Sequence, residues 1–289
     1  RIAQNQLWEE LSALPPKVFG EKMDFESQYL PFEQYLKFKE ALPLSVSLIP
    51  KGGLIESFSV IKDNSEIEKI RRAVKITDGV FEQILPLLKP GISELELAAE
   101  IDYRIRKSGG EKAAFDTIVA SGERSSMPHA TPTGRKLQSG ELVLMDFGAV
   151  FEDYASDFTR TVVLGEATQE QKQRYDLVRQ AQREAITTVK AGMHSVELDK
   201  TARQIIENAG YGSNFRHSLG HGVGLQVHEA PRISWKNGCI LRPGMVITVE
   251  PGIYLPGWGG IRIENMILVK EDGCEELTKT TTELISLHL

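Results

Sequence analysis

The sequence predicts an α+β fold of two pseudo-symmetric half-domains facing a shared cleft, preceded by a small partial α/β segment at the amino end. Three features predict it. First, Lys89-Pro-Gly-Ile-Ser-Glu-Leu-Glu-Leu returns as Lys190-Ala-Gly-Met-His-Ser-Val-Glu-Leu; at this 101-residue offset Gly91 matches Gly192, Glu96 matches Glu197, Leu97 matches Leu198 and Gly109 matches Gly210. Second, each copy reads as turn, helix and glycine stop, followed later by two apolar strands carrying acids, within residues 141–164 and 244–269. Third, a repeat of about 100 residues is too long for a solenoid unit and suits a duplicated half-domain. The competing account is coincidence between two ordinary helix-turn segments.

In chain order, residues 1–60 show a helical pattern through Leu7, Trp8 and Leu11, a Pro15-Pro16 stop, and a second helical stretch from Phe32 to Leu42. The domain boundary is placed near residue 60, with the second domain over 61–289. Ser65 and Glu68 have the spacing of a capping box, in which hydroxyl and carboxylate satisfy free N–H groups at a helix start. A long helix follows, because Ile67, Ile70, Ala73, Val74, Ile76, Val80 and Ile84 recur near helical spacing; Pro86, Pro90 and Gly91 close it. The acidic strand pairs are each interrupted by turn residues, at Glu152-Asp153-Tyr154 and Pro256-Gly257-Trp258-Gly259-Gly260, and each pair reads as a hairpin.

Composition narrows the function classes. The 289 residues are 41% hydrophobic and 26% charged, which excludes disorder as the dominant state. The net charge of −6 lacks a long basic run, so nucleic acid is not an expected partner. No apolar stretch approaches the roughly 18 residues of a membrane span, and the amino end lacks a basic-then-apolar leader. The two cysteines, Cys239 and Cys274, fit neither a redox pair nor a zinc knuckle and read as reduced thiols of a cytoplasmic protein.

The chemistry lies in the acids on apolar strands. By the alternation of strand side chains, Asp146 shares a face with Leu142 and Leu144, and Glu250 shares one with Val246 and Thr248. An ionised carboxylate removed from water is costly unless paired or metal-bound. For a single acid, pairing with Arg160 or Arg262 is an adequate explanation; for Asp146, Asp157, Glu250 and Glu264 together it is a weak one. Four carboxylates balance two divalent cations and leave one neutral imidazole. Of six histidines, four (His129, His217, His221 and His228) cluster near the proposed cleft, and His221 sits among glycines in Gly220-His-Gly-Val-Gly. A glycine-flanked histidine alone is more often a loop residue, so the choice of His221 as ligand depends on the acids. Oxygen-rich ligation with one imidazole admits Mn²⁺, Co²⁺, Zn²⁺ and Fe²⁺ and disfavours copper(I). His228 suits a donor to a developing oxyanion.

At these residues the chain resembles the creatinase and aminopeptidase family with the pita-bread fold, in its Xaa-Pro aminopeptidase and prolidase branch. The resemblance covers roughly residues 61–289. It is carried by Ser126-Met-Pro-His-Ala, Met145-Asp-Phe-Gly, Tyr154-Ala-Ser-Asp-Phe-Thr-Arg-Thr, His217-Ser-Leu-Gly-His-Gly-Val-Gly, Val227-His-Glu, Val249-Glu-Pro-Gly-Ile-Tyr and Gly260-Ile-Arg-Ile-Glu-Asn. The resemblance implies a dinuclear metal centre, Mn²⁺ being the first choice, held by Asp146, Asp157, His221, Glu250 and Glu264. It further implies Glu250 as general base, His228 as oxyanion donor, His129 and His217 as substrate-side residues, and Arg262 as a partner of a ligand carboxylate. The activity implied is hydrolysis of the amino-terminal bond of Xaa-Pro peptides, by aminopeptidase or dipeptidase action, in a homodimer. Methionine aminopeptidase activity, a non-catalytic peptide-binding module and a metal-free amidinohydrolase on the same fold are the alternatives. Two departures stand beside ligands: Asp153 replaces a common Gly, and Asn265 stands where an acid is frequent. Residues 1–60 resemble only the later part of the family's amino-terminal domain.

Overall fold

The computed structural model describes residues 7–236 and 238–287. The chain divides into two compact units, residues 1–58 and 59–289. In the first, α1 (Leu7–Ser12) precedes β1 (Lys22–Glu26), α2 (Phe32–Ala41), β2 (Ser47–Lys51) and α3 (Leu54–Ser59). β1 and β2 pair in parallel, Lys22 opposite Ser47, with α2 as the crossover. The helical periodicity of this segment did not single out these strands.

The second unit opens with α4 (Asn64–Ile84), whose apolar stripe from Ile67 to Ile84 is buried. Its cap lies two residues before the one expected from the sequence. Asp63, not Ser65, is the N-cap: its carboxylate accepts from the Ser65 and Glu66 amides, and Glu66 returns the bond to the Asp63 amide. A carboxylate acceptor at the positive end of the helix outcompetes the hydroxyl two residues later. Then come α5 (Glu94–Lys107), β3 (Lys112–Ala113), β4 (Ile118–Ser121), β5 (Leu142–Asp146), β6 (Ala149–Phe151), β7 (Tyr154–Ala155) and β8 (Thr159–Leu164). The second half follows as α6 (Gln169–Thr188), α7 (Ser195–Asn208), β9 (Gly220–Gly222), β10 (Glu229–Ile233), β11 (Val246–Val249), β12 (Gly252–Leu255), β13 (Gly259–Arg262), β14 (Asn265–Lys270), β15 (Gly273–Glu276) and β16 (Ser286–Leu287).

One sheet has the order β16-β8-β5-β4, the other β10-β9-β11-β14-β15. Each is the floor of a core, and that of the second sheet also takes in Leu142 and Val163 of β5 and β8. Val80, Phe81, Ile84, Leu97, Ile101 and Ile105 pack on Val143, Met145, Val162 and Leu164. In the second half Tyr175, Val178, Leu198, Ala202 and Ile206 share a core with Ile247, Val249, Ile267 and Val269. A third cluster joins them: Ile67, Ile70 and Val74 of α4 meet Tyr154, Val223, Val246 and Met266. Fully burying one such side chain contributes roughly 1.5–3 kcal/mol, so the seam is held by the same effect as the cores.

The acidic hairpins are nested rather than simple. β5 and β8 are antiparallel partners, Asp146 opposite Thr159, but the Glu152-Asp153 turn belongs to the small β6–β7 hairpin, which pairs with β3 in another sheet. Likewise β11 pairs with β14 while β12 and β13 form a separate two-stranded excursion. Strand alternation therefore carries less information than the sequence reading assigned to it. Every position of β5 and β11 is buried, and β11 ends at Val249, so Glu250 lies just beyond the strand instead of on its Val246–Thr248 face. What places the acids is departure and return: Asp146 ends β5 and Asp157 precedes β8, while Glu250 follows β11 and Glu264 precedes β14. Among the described residues, no helix is long and apolar enough to cross a membrane.

Candidate metal centre

The excursions bring all four acids to the seam. Asp146, Asp157 and Glu264 each offer an oxygen to one cluster of donor atoms within 4.8 Å of one another; His221, Glu250 and Glu264 form a second such cluster, and Asp157, His221 and His228 a third. The halves are stitched beside these side chains, since the Glu264 amide donates to the Thr159 carbonyl (3.2 Å) and the Thr159 hydroxyl donates to Glu264 Oε2 (2.6 Å).

His221 is delivered by close backbone approach. A Cβ on Gly220 would lie 2.0 Å from the Thr248 carbonyl oxygen, and one on Gly222 would lie 2.2 Å from that of Ala230. The flanking glycines thus admit strand neighbours, not a ligand, to the imidazole. Nδ1 of His221 lies 3.1 Å from the Gly222 carbonyl, and Nε2 faces Glu250 Oε1 at 3.3 Å and Asp157 Oδ2 at 3.5 Å. With Nδ1–H donating to that carbonyl, the neutral tautomer turns the Nε2 lone pair toward the acids, the orientation a cation ligand needs.

The electrostatics identify what the acids lack. Burial, then the neighbouring carboxylates, push Asp157 well above the ordinary carboxylate range and Glu264 up to about 8. Burial raises Asp146 too, against the opposing charge of Arg262. Glu250 is held at about 2: burial pushes it up, but the hydrogen bond and charge of His221 prevail, and His221 is correspondingly raised despite its burial. That proton on His221 and a cation compete for one lone pair. Asp146 Oδ1 and Glu264 Oε1 are buried without a hydrogen-bond partner. Two unpartnered carboxylate oxygens, within a four-carboxylate group that Arg262 and His221 only partly neutralise, fit divalent cations.

The remaining predicted residues surround this group. Arg262, 3% exposed, ion-pairs with Asp146, donates from Nη1 to the Tyr254 hydroxyl (2.7 Å) and from Nε to the Thr159 hydroxyl (3.1 Å), and passes 4.0 Å from Glu250. His217 meets the same tyrosine, Nε2 to hydroxyl 2.9 Å, and burial depresses its pKa to about 4. The exposed His228 ring lies 4.3 Å from that of His221, close enough to count as an additional donor, and partial desolvation, then the charge of His221, lowers its pKa. His129 is exposed on the loop after the turn at Gly122–Ser126, and among the described residues no hydrogen bond or ion pair ties it to the cluster.

Sequence reasoning assigned no role to Tyr254, Thr159 or Thr248, yet each links site residues. The Thr248 hydroxyl accepts from the His221 amide (3.1 Å) and lies 3.2 Å from Glu250 Oε1. A usable signal existed for Tyr254, which faces Gly260 across a strand pair while Arg262 faces Gly252: large polar side chains opposite glycines. Of the departures, Asp153 has φ 68° and its neighbour Glu152 φ 45°, the left-handed region where glycine is favoured. Asn265 accepts from Arg160 Nη2 (2.9 Å) and donates to Glu276 (2.7 Å), a donation an acid could not make.

Residues 68–271 match the model of metallopeptidase family M24. The chain belongs to metallopeptidase family M24. Over 232 residues this M24 chain is 46% identical to the Xaa-Pro dipeptidase of Pyrococcus furiosus, covering 80% of the chain and 67% of that relative. It superposes with a TM-score of 0.96 on a solved Xaa-Pro dipeptidase from Bacillus anthracis, at 40% identity, covering 99% of this chain and 80% of that one. An X-Pro aminopeptidase from Thermotoga maritima gives a TM-score of 0.93 at 37% identity, covering 99% and 81%. The expected pita-bread fold and family are met, and with such relatives the M24 chain is a metallo-exopeptidase.

Proposed function

We propose that the chain hydrolyses the amino-terminal bond of Xaa-Pro peptides at a centre of two divalent ions held by Asp146, Asp157, His221, Glu250 and Glu264. The observation that carries the reading is the convergence of these five side chains with two buried carboxylate oxygens unpartnered. When bound, the ions supply Lewis acidity toward the scissile carbonyl and acidify water at the centre. Glu250 takes the proton of the attacking water and passes it to the proline nitrogen as the bond breaks. A neutral His228 donates to the developing oxyanion. His129 and His217 contact the substrate on the proline side, where the tertiary amide lacks an N–H and offers shape instead of a donor. Arg262 holds Asp146 in place and keeps Tyr254 directed at His217.

Mn²⁺ as the first ion, a homodimer and a cytoplasmic setting belong to the same proposal, supported by the motif resemblance and the two isolated thiols. The test is metal-depleted protein reconstituted with Mn²⁺, Co²⁺ or Zn²⁺ and offered Xaa-Pro dipeptides, Xaa-Pro-Yaa peptides and Met-Ala-type peptides. Metal-dependent turnover of dipeptides alone assigns dipeptidase action, and turnover of the longer proline peptides assigns aminopeptidase action. Preference for Met-Ala substrates, or no metal-dependent turnover, overturns the proposal.

A further inference from the structure

Behind His217 lies a pair of side chains from α7 that touch neither the acids nor the imidazoles. Asp199, fully buried, and Arg203, one turn later, form a two-bond ion pair: Nε to Oδ2 at 2.7 Å and Nη2 to Oδ1 at 3.0 Å. Both then reach the loop between α7 and β9. Arg203 donates from Nη1 to the Phe215 carbonyl and from Nη2 to the His217 carbonyl, each at 2.9 Å, and Asp199 Oδ1 accepts from the Leu219 amide at 3.0 Å. Alternate residues 215, 217 and 219 are thereby fixed by their backbones. The Leu219 carbonyl in turn accepts from the Glu250 amide at 2.8 Å. The guanidinium is also packed on two aromatic rings, Phe215 at 4.2 Å and Trp235 at 4.1 Å.

We infer that Asp199 and Arg203 form a positioning clamp, which sets His217 against Tyr254. A guanidinium fork is suited to this, since it can satisfy a carboxylate and two carbonyls in one plane, whereas an ammonium cannot hold all of them. The clamp acts at the one segment that connects the proline-side histidine with the general base. The His217 ring is held by Nδ1 against the Ser218 carbonyl (2.8 Å), within the anchored backbone, and by Nε2 against the Tyr254 hydroxyl, so loosening the anchor swings the imidazole without removing a ligand. The kinetic consequence rests on the function proposed above; the structural consequence does not.

The test compares Arg203→Met, which keeps the stem and loses the fork, with Arg203→Lys, which keeps the charge beside Asp199. Both are made in the wild-type and His217→Ala backgrounds and loaded with Zn²⁺, a diamagnetic ion. Long-range ¹H–¹⁵N spectra, with His217 identified by its disappearance in His217→Ala, report the ring directly. The clamp predicts that the His217 signals move in Arg203→Met while those of exposed His129 stay. It also predicts that kcat/KM for an Xaa-Pro dipeptide falls about tenfold, the scale of a lost charge-assisted hydrogen bond. In the His217→Ala background the same change causes little further loss, because the two act through one group. Should Arg203→Met fail to fold, Arg203→Lys carries the test with a smaller displacement of the same signals. Unmoved His217 signals overturn the clamp, as does a full, additive kinetic loss in the His217→Ala background. If His217→Ala leaves peptide hydrolysis unchanged while the signals still move, the clamp stands and the substrate role of His217 fails.

Discussion

Gly220→Ala is the substitution that most directly tests how the two halves assemble the centre. The added methyl would lie 2.0 Å from the Thr248 carbonyl oxygen and 2.8 Å from the Thr248 hydroxyl, both in β11 and two residues before Glu250. Ordinary contact begins at 3.4 Å, so β9 and β11 must part by about 1.4 Å. The obstacle is backbone in a strand paired on both sides, not the end of a flexible side chain. Overpacking of this kind, with a weakened amide-to-hydroxyl bond at His221, costs roughly 3 kcal/mol. For a unit of this size that lowers the melting temperature by about 6–12 °C. His221 moves with its strand, so metal content after gel filtration falls as well, and turnover drops by at least about 100-fold, the effect of a misplacement near 1 Å. Thermal melts with and without chelator separate the fold from the metal. Gly79→Ala is the control: it lies within α4 with nothing within 4 Å of the new methyl, and should raise stability by about 0.5–1 kcal/mol. A Gly220→Ala protein that melts within 2 °C of wild type (roughly, on the scale above) and retains its metal would refute the close-approach argument.

Three further outcomes follow from particular residues. Glu250→Gln removes the proton acceptor and should lower turnover by about 10²–10⁴-fold while peptide binding stays measurable by calorimetry; unchanged turnover would exclude Glu250 as the base. Asp153→Gly places glycine at a left-handed position and should stabilise the protein by about 1 kcal/mol, read as a higher denaturation midpoint; a lower midpoint would show that Asp153 makes a compensating interaction. His217, depressed to about 4 by burial, should stay neutral when followed by NMR from pH 8 to 5. Because the unfolded chain protonates there near its ordinary value and the folded one does not, this residue removes stability as pH falls below about 6.5. A His217 signal titrating near 6.5 would contradict the buried geometry.

What was legible in the sequence and what was not divides along a physical line. The long helix from Ile67 to Ile84 and the paired halves were legible because burial imposes periods that repeat along the chain. The cap was misplaced by two residues because Asp63 and Ser65 both satisfy the local rule, and only geometry decides between them. The acids were legible as anomalies, although the strand-face argument for Glu250 was wrong in detail: β11 ends one residue earlier. Tyr254, Thr159 and Thr248 were not legible as site residues, since each acts through a contact formed only when distant strands meet. Thr159 is 105 positions from Glu264, and its hydroxyl has no significance until that carboxylate arrives.

The duplication also explains why the centre sits at the seam and why its two sides are unequal. Each half sends a strand in, leaves the sheet for a short hairpin, and returns, with an acid at departure and another at return. Two such detours facing each other bring four carboxylates together without a dedicated loop, and their mutual repulsion weakens the seam unless cations offset it. The second half then adds what the first lacks: His221 between glycines, Arg262 against Asp146, and Tyr254 between Arg262 and His217. The proposed ligands thus come from both halves, while the proposed substrate side is unequal: His129 comes from the first half and His217 with its Tyr254 partner from the second. Loss of metal should therefore loosen the seam cluster of Ile67, Val223, Val246 and Met266 first, because the carboxylates lie between the halves beside it.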